Sequence, residues 1–179
     1  MKKRVTFPGE KGFSTFYPGS IVLVSAVDAE GKPDICTVGA WALVNGVPRL
    51  FGIAMCARPA GSYFWKRYTT TCIEQTGEFV INIPHAGLAK AWDVCGTVSL
   101  TTQPDADKFA LAGLTAAPAE KVAAPLIAEC PVNIECRVHS KLALPTHDWI
   151  VGTPVACHTA ADVASGKATL AWDTSPTLT

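Results

Sequence analysis

Charged side chains are scarce in this sequence, and neither sign dominates. They make up 17% of the 179 residues, with 15 basic and 15 acidic side chains. That balance argues against the strongly basic surface that a nucleic-acid partner requires. Because 49% of the residues are apolar, a disordered chain is excluded as well. An ordinary soluble domain carries about 25% charged residues, so the apolar excess predicts a surface that is covered in a homo-oligomer.

Long hydrophobic segments are also missing. After the basic residues 2–4, the sequence VTFPGE interrupts the apolar core that a secretory signal would need. The best apolar run, Ile21–Val27, is far shorter than the roughly 20 residues that span a bilayer. We therefore expect no membrane association. We expect one domain over residues 1–179, with an N-terminal arm at 1–14 and a C-terminal tail at 160–179.

The seven cysteines lack the spacing of a metal or redox motif. Their number is odd, no C-x-x-C occurs, and they are scattered through apolar segments. Cys136 and His139 are close in sequence, but residues three apart in a strand point to opposite faces of the sheet. We expect reduced thiols in a cytoplasmic protein, and no metal site.

Alternating apolar residues between turn signals predict about six strands. Ile21–Val27, the Gly- and Pro-containing turn at 28–34, and Ile35–Val38 have the pattern of an antiparallel hairpin. The same reasoning predicts four further strands, at Arg49–Met55, Glu78–Ile83, Val132–Val138 and Trp149–Cys157.

Helical spacing of apolar residues predicts three short helices between these strands. They cover Tyr63–Thr76, Leu88–Cys95 and Asp105–Gly113, and the first two end at glycines 77 and 96. Because helices and strands do not alternate regularly, a doubly wound parallel sheet is disfavoured. We predict a mainly β fold with inserted helices, in which an antiparallel sheet closes into a small barrel. Side chains fill such a barrel, so a ligand would lie on its rim or at a subunit interface.

The common local motifs of catalysis and nucleotide binding are absent. The sequence has no G-x-G-x-x-G, G-x-x-x-x-G-K-[ST], G-x-S-x-G or H-E-x-x-H. Cys95 falls at the predicted C-terminal end of a helix, where the helix dipole raises a thiol pKa. No charge-partner motif accompanies the histidines at positions 85, 139, 147 and 158. A Cys–His hydrolase is therefore disfavoured, and no catalytic residue is assigned.

Seven short segments follow one another in a characteristic order between residues 15 and 158. They are PGSIVLV at 18–24, GKPD at 31–34, KRYT at 66–69, GEFVINIP at 77–84, CG at 95–96, DKF at 107–109 and GLT at 113–115. Together they resemble the flavin reductase-like family, nearest its flavoredoxin branch. Members of that family are FMN-binding split barrels and homodimers. The resemblance therefore implies a split barrel, a homodimer and a flavin cofactor, with FMN favoured over FAD.

The phosphate of FMN needs cations and hydroxyl donors, which four residues would supply. Arg67 and Lys108 would contribute charge, while Ser99 and Thr69 would donate hydrogen bonds. The alternatives stay open. Both cations could belong to solvated helix faces, and both hydroxyls could bond to their own backbone.

The isoalloxazine ring needs apolar contact on its faces and hydrogen bonds along one edge. The stretch at 37–41 resembles the family segment whose main chain lies against the ring, and its last residue would be either a wall of the site or ordinary core. Asn82, a polar residue in an apolar strand, would contact the flavin edge or bond to an adjacent loop. The full set predicted to bind the cofactor is Thr37, Val38, Gly39, Ala40, Trp41, Arg67, Thr69, Asn82, Ile83, Cys95, Gly96, Ser99 and Lys108.

The resemblance implies an oxidoreductase that takes electrons from NAD(P)H and passes them to free flavin, iron or a protein. The cofactor supplies the electron sink, so the protein needs no acid or base of its own. A second hypothesis is a non-enzymatic flavoprotein electron carrier that is reduced by a protein partner. A third is a ligand-binding barrel without flavin. The residues leave all three open.

Overall fold

In the part of the chain that the structure describes, nine strands form a seven-stranded sheet and a two-stranded sheet. The computed structural model describes residues 20–59, 61 and 64–166. The large sheet contains β1 (Val22–Val27), β2 (Pro33–Val38), β3 (Trp41–Asn45), β4 (Leu50–Cys56), β5 (Glu78–Ile83), β8 (Val132–Ala143) and β9 (His147–Thr159). The small sheet pairs β6 (Ala116–Ala117) with β7 (Leu126–Ile127).

All neighbours in the large sheet are antiparallel, in the order β2-β1-β5-β8-β9-β4-β3. Hairpins join β1 to β2, β3 to β4, and β8 to β9, while β5 lies between β1 and β8. The pairing of β8 with β9 shifts register after Glu135 and again after Val138. Such bulges bend a strand and increase its twist, which curves the sheet around a core.

Among the described residues, four helices lie between or after the strands. They are α1 (Tyr68–Thr76), α2 (Ala89–Thr97), α3 (Lys108–Ala112) and α4 (Ala161–Ala164), and a 3-10 turn at Ala86–Leu88 leads into α2. Helix α1 ends at Gly77, whose φ of 70° lies in the left-handed region that favours glycine. Helix α3 begins after Asp107, whose carboxylate accepts a 3.0 Å hydrogen bond from the N–H of Ala110.

Strand β1 is buried on both faces of the sheet. On one face, Val22 and Val24 pack with Phe79 and with residues of α1. On the other face, Leu23 packs with Phe109 and with residues of α2 and α3. All six residues of β1 are buried, so the helices on opposite sides of this strand share it as their support.

Most of the predicted elements agree with the structure. The antiparallel hairpin at 21–38 is confirmed, and β5 has the predicted bounds, Glu78–Ile83. The predicted strands at 49–55, 132–138 and 149–157 correspond to β4, β8 and β9, and the helix near Asp105–Gly113 is α3. The mainly β fold with inserted helices is therefore confirmed.

Four details of the prediction need correction. The helix predicted over Tyr63–Thr76 begins at Tyr68, because the described segment before it, residues 64–67, is bridged to Arg58 and is not helical. The sequence pattern does not predict β3, because its residues are mostly exposed and do not alternate. Helix α2 continues through Gly96 to Thr97, because Gly96 lies within the helix and faces Thr37 of β2. Closure of the barrel is not confirmed. Within the described residues, no hydrogen-bonded ladder joins the edge strands β2 and β3, and α2 and α3 pack on β2 instead.

Some predictions fall outside the part of the chain that the structure describes. These are the arm at 1–14, residues 167–179 of the tail, and Tyr63 at the predicted start of a helix that begins at Tyr68. None of the helices within the described ranges is both long enough and apolar enough to cross a membrane.

Candidate functional site

A cleft of about 370 Å³ opens beside helix α1. Its lining residues are Ala57, Arg58, Pro59, Trp65, Lys66, Thr71 and Thr101. The N–H of Arg58 donates to the carbonyl of Phe64 at 3.0 Å, and the N–H of Lys66 donates to the carbonyl of Arg58 at 2.7 Å. These two hydrogen bonds hold the segment after β4 against the segment before α1, which fixes the walls of the cleft.

Cationic groups and an indole ring are concentrated around this cleft. The guanidinium carbon of Arg67 lies 5.4 Å from the centroid of the Trp65 ring, within the range of a cation–π contact. Arg58 donates from Nε to the carbonyl of Pro145 at 2.9 Å. Lys66 forms an ion pair with Glu74 of α1, and both side chains are about one third exposed. Two cationic side chains therefore line the cleft, and the charge of Lys66 is balanced by Glu74.

A second set of polar side chains is buried between β2, α1 and α3. Lys108 Nζ lies 3.1 Å from Asp34 Oδ1, and the two side chains are 2% and 1% exposed. Thr69 Oγ1 donates to the other oxygen of Asp34 at 2.5 Å. Lys108 therefore does not lie on a solvated helix face, and that alternative is wrong. Its charge is neutralised inside the protein, and its contact with a phosphate stays a prediction.

The predicted ring segment connects β2 to β3. Thr37 Oγ1 donates to the carbonyl of Trp92 in α2 at 2.6 Å. Residues 38 and 39 are buried and half-buried, and residue 40 is exposed. Trp41 is half-buried, and its Nε1 donates to Ser20 Oγ at 2.9 Å. The segment therefore leaves the protein interior at its small residues, while its contact with a flavin stays a prediction.

Asn82 satisfies its amide entirely within the protein. Its Nδ2 donates to the carbonyl of Leu23 at 3.1 Å and to Ser25 Oγ at 2.9 Å. Its Oδ1 accepts from the N–H of Ile127 at 3.0 Å and from Asn133 Nδ2 at 2.8 Å. This network ties β5 to β1, β7 and β8 and not to an adjacent loop, and contact of Asn82 with a flavin stays a prediction. Ile83, the next residue, is half-buried against the core.

The remaining predicted residues lie in or just after α2. Burial raises the pKa of the Cys95 thiol to about 12, so it behaves as an apolar core residue. A Cβ added at Gly96 would lie 3.5 Å from Thr37 Oγ1, which is ordinary contact. Ser99 is buried, and its hydroxyl oxygen accepts from the N–H of Thr101 at 3.4 Å. This hydrogen bond agrees with the alternative in which the Ser99 hydroxyl bonds to the backbone of its own turn.

The sequence match that decides the family covers most of the chain. Residues 13–176 match the flavin reductase like domain. The chain belongs to the flavin reductase like family. This family member is 31% identical over 131 residues to an uncharacterized protein of Archaeoglobus fulgidus, and the match covers 73% of this chain and 66% of that protein. The chain thus spans slightly less than two thirds of that relative's length.

Solved structures that are similar to this chain include two flavoredoxins. A flavoredoxin from Methanosarcina acetivorans is 27% identical, with a TM-score of 0.79 over 99% of this chain and 87% of that chain. Flavoredoxin from Desulfovibrio vulgaris is 26% identical, with a TM-score of 0.73 over 90% and 78% of the two chains. A split barrel domain protein from Shewanella frigidimarina, 18% identical, has a TM-score of 0.74 over 89% and 82%. The fold therefore has split-barrel neighbours.

The cleft of this flavin reductase like protein suits a ligand with an aromatic ring and an anionic tail. Arg58 and Lys66 supply cations, two threonines supply hydroxyl donors, and Trp65 supplies a flat apolar surface. None of these residues belongs to the set predicted from sequence, although the KRYT segment begins at Lys66. Segments as far apart as 57–59 and Thr101 form the cleft, and no local spacing indicates that they meet.

Proposed function

We propose that this protein is an FMN-binding oxidoreductase and that the cleft beside α1 holds the cofactor. The observation that carries the proposal is the lining of the cleft, which brings two cations, an indole ring and two hydroxyl groups to one opening. Its volume of about 370 Å³ falls within the range of small-molecule sites. Membership of the flavin reductase like family supports a flavin as the ligand.

The residues of the cleft would bind and orient the cofactor. Arg58 and Lys66 would donate charge-assisted hydrogen bonds to the phosphate, aided by the hydroxyls of Thr71 and Thr101. Trp65, against which the Arg67 guanidinium packs, would contact the ring. Bound FMN would supply the capacity to accept and release electron pairs. Because the described lining contains no Asp, Glu, His or Cys, the contribution of the protein would be positioning and not proton transfer.

We propose NADH or NADPH as the electron donor, with free flavin, iron or a protein as the acceptor. The second candidate is an electron carrier that a protein partner reduces. The similarity to two flavoredoxins favours keeping this candidate.

An apolar face of the sheet supports a homodimer. Leu142, Trp149 and Ala54 are paired in register across β8, β9 and β4, so they share one face. Leu142 is 59% exposed. The Trp149 ring covers Gly52, where an added Cβ would lie 2.4 Å from it. Sedimentation should give twice the chain mass for the wild type and a lower value for Leu142→Lys, and a monomeric wild type would overturn this assembly.

We also propose a reducing, cytoplasmic location, which the seven free cysteines support. Thiol alkylation in intact cells, followed by mass spectrometry, should find all seven as thiols. Recovery of any intramolecular disulfide would count against this location.

A cofactor titration followed by steady-state kinetics tests the proposed activity. Purified protein should take up FMN with one site per chain, and the loaded protein should oxidise NADH or NADPH with free flavin as acceptor. Oxidation of neither nucleotide, with reduction only by a protein donor, would favour the carrier. Failure to take up FMN would overturn both candidates.

A further inference from the structure

A thiol and an imidazole meet at the end of the β4–β9 ladder. Cys56 is the last residue of β4, and it pairs in register with His147, the first residue of β9. Cys56 Sγ lies 3.5 Å from His147 Nε2, which is hydrogen-bonding distance for sulfur. The two residues are 91 positions apart in sequence, so the fold alone creates this pair.

The imidazole is held in place from its other side. His147 Nδ1 lies 2.8 Å from Thr146 Oγ1, and the ring packs against that of Phe64, with centroids 5.1 Å apart. In the tautomer that accepts a proton at Nε2, Nδ1 carries the hydrogen and donates it to Thr146 Oγ1. This is the arrangement of a nucleophile, a general base and an orienting group.

At rest, the thiol of Cys56 and the imidazole of His147 are both neutral. Charge develops on the pair only when the sulfur reacts. Burial raises the pKa of the Cys56 thiol, although the nearby, hydrogen-bonded Arg67 guanidinium lowers it. Burial also lowers the pKa of His147, so the imidazole is neutral and its Nε2 lone pair is directed at the thiol 3.5 Å away. Arg67 would then stabilise the negative charge that develops on the sulfur.

We propose that Cys56 is a site of mixed-disulfide formation with small disulfides, and that His147 is its general base. Cys56 Sγ attacks one sulfur of the small disulfide, its thiol proton passes to His147 Nε2, and the disulfide bond breaks. The departing thiolate takes the proton from the imidazolium. The Cys56 sulfur is oxidised, the departing sulfur is reduced, and the products are a protein mixed disulfide and one free thiol.

The other cysteines provide an internal comparison. Five are buried, and only Cys157 is more exposed than Cys56. Burial raises the pKa of the Cys157 thiol too, and no imidazole is hydrogen-bonded to Cys157 within the described residues. Exposure alone therefore predicts that Cys157 reacts first, whereas the proposal predicts that Cys56 does.

Reaction with 2-hydroxyethyl disulfide, followed by peptide mass spectrometry, distinguishes these outcomes. This uncharged probe minimises electrostatic attraction to Arg67. In the native wild-type protein, Cys56 should be modified faster than Cys157. His147→Gln, which cannot take up the proton, should slow modification of Cys56 by at least about tenfold and leave Cys157 unchanged. His139→Gln, on an exposed position of β8, serves as the matched control and should change neither rate.

Two results would overturn the proposal. One is faster modification of Cys157 in the native wild type. The other is an unchanged Cys56 rate in a His147→Gln protein whose circular dichroism and urea midpoint match the wild type. If His147→Gln fails to fold, Thr146→Val keeps the test open, because loss of the orienting hydroxyl should slow Cys56 selectively. Equal rates for both thiols in urea would verify that native structure causes the difference.

Discussion

Positive side chains occupy two contrasting regions of this molecule. Lys108 is buried against β2, and its charge is matched by Asp34 at 3.1 Å. Arg58 and Lys66 instead line a cleft that is open to solvent. The ion pair of Lys108 is buried and contributes to the fold, whereas the ion pair of Lys66 with Glu74 is partly exposed, so an anionic ligand can compete for Lys66. Residue type alone does not distinguish a structural cation from a ligand-binding one. The burial of the side chain and of its ion-pair partner does.

Removing the buried cation should have the largest effect on stability. Lys108→Met keeps much of the side-chain volume but leaves the Asp34 carboxylate buried without a counter-charge. We expect the free energy of unfolding to fall by about 3–5 kcal/mol, as measured by urea denaturation.

Lys66→Met is the matched control, because it breaks an ion pair with Glu74 that is partly exposed. Its stability should change by about 1 kcal/mol or less. Similar losses for the two variants would remove the distinction between the regions. Adding Asp34→Asn to Lys108→Met should restore part of the loss.

Removing the buried carboxylate of Glu135 should lower the free energy of unfolding by less, and by an amount that depends on pH. Glu135 accepts N–H hydrogen bonds from residues 120, 121 and 122 at 2.7–3.1 Å, and it contacts His158 Nε2 at 2.5 Å. Burial favours a higher pKa for Glu135, but these contacts outweigh it and lower the pKa. The stabilisation is therefore present above the unfolded-state pKa of about 4.3 and is lost as the pH falls through the lower folded-state pKa.

Glu135→Gln should remove that acid-dependent part of the stability. At pH 7 we expect a loss of about 1.5–3 kcal/mol, since a hydrogen-bonded charge is replaced by a neutral amide. Below the folded-state pKa, the two proteins should converge. Urea midpoints measured between pH 7 and pH 3 test this, and parallel pH profiles would contradict it.

Local patterns predicted much of the fold. The hairpin at 21–38 and strand β5 carry their turn signals and apolar residues in continuous sequence, so both were predictable. Strand β3 carries no such alternation, and closure of a sheet depends on contacts between its edges. The sequence therefore predicts antiparallel strands more reliably than it predicts how their edges meet.

The candidate site was less predictable. The polar character of Asn82 and Lys108 was visible in the sequence, but their partners are distant. Asn133 is 51 residues from Asn82, and Asp34 is distant in sequence from Lys108. Both residues are used internally. The cleft is lined by Thr101 and Trp65 from separate segments, and no spacing rule indicates that these segments meet.

Parallel titrations of FMN and riboflavin test most directly whether the cleft holds the phosphate. Lys66→Gln should weaken FMN binding about tenfold or more, while riboflavin binding changes little, because only FMN has the phosphate that Lys66 would contact. Lys108→Met, measured where it is folded, should keep the wild-type ratio of the two affinities. An FMN-specific loss in Lys108→Met with none in Lys66→Gln would contradict the account and assign the phosphate to the buried region.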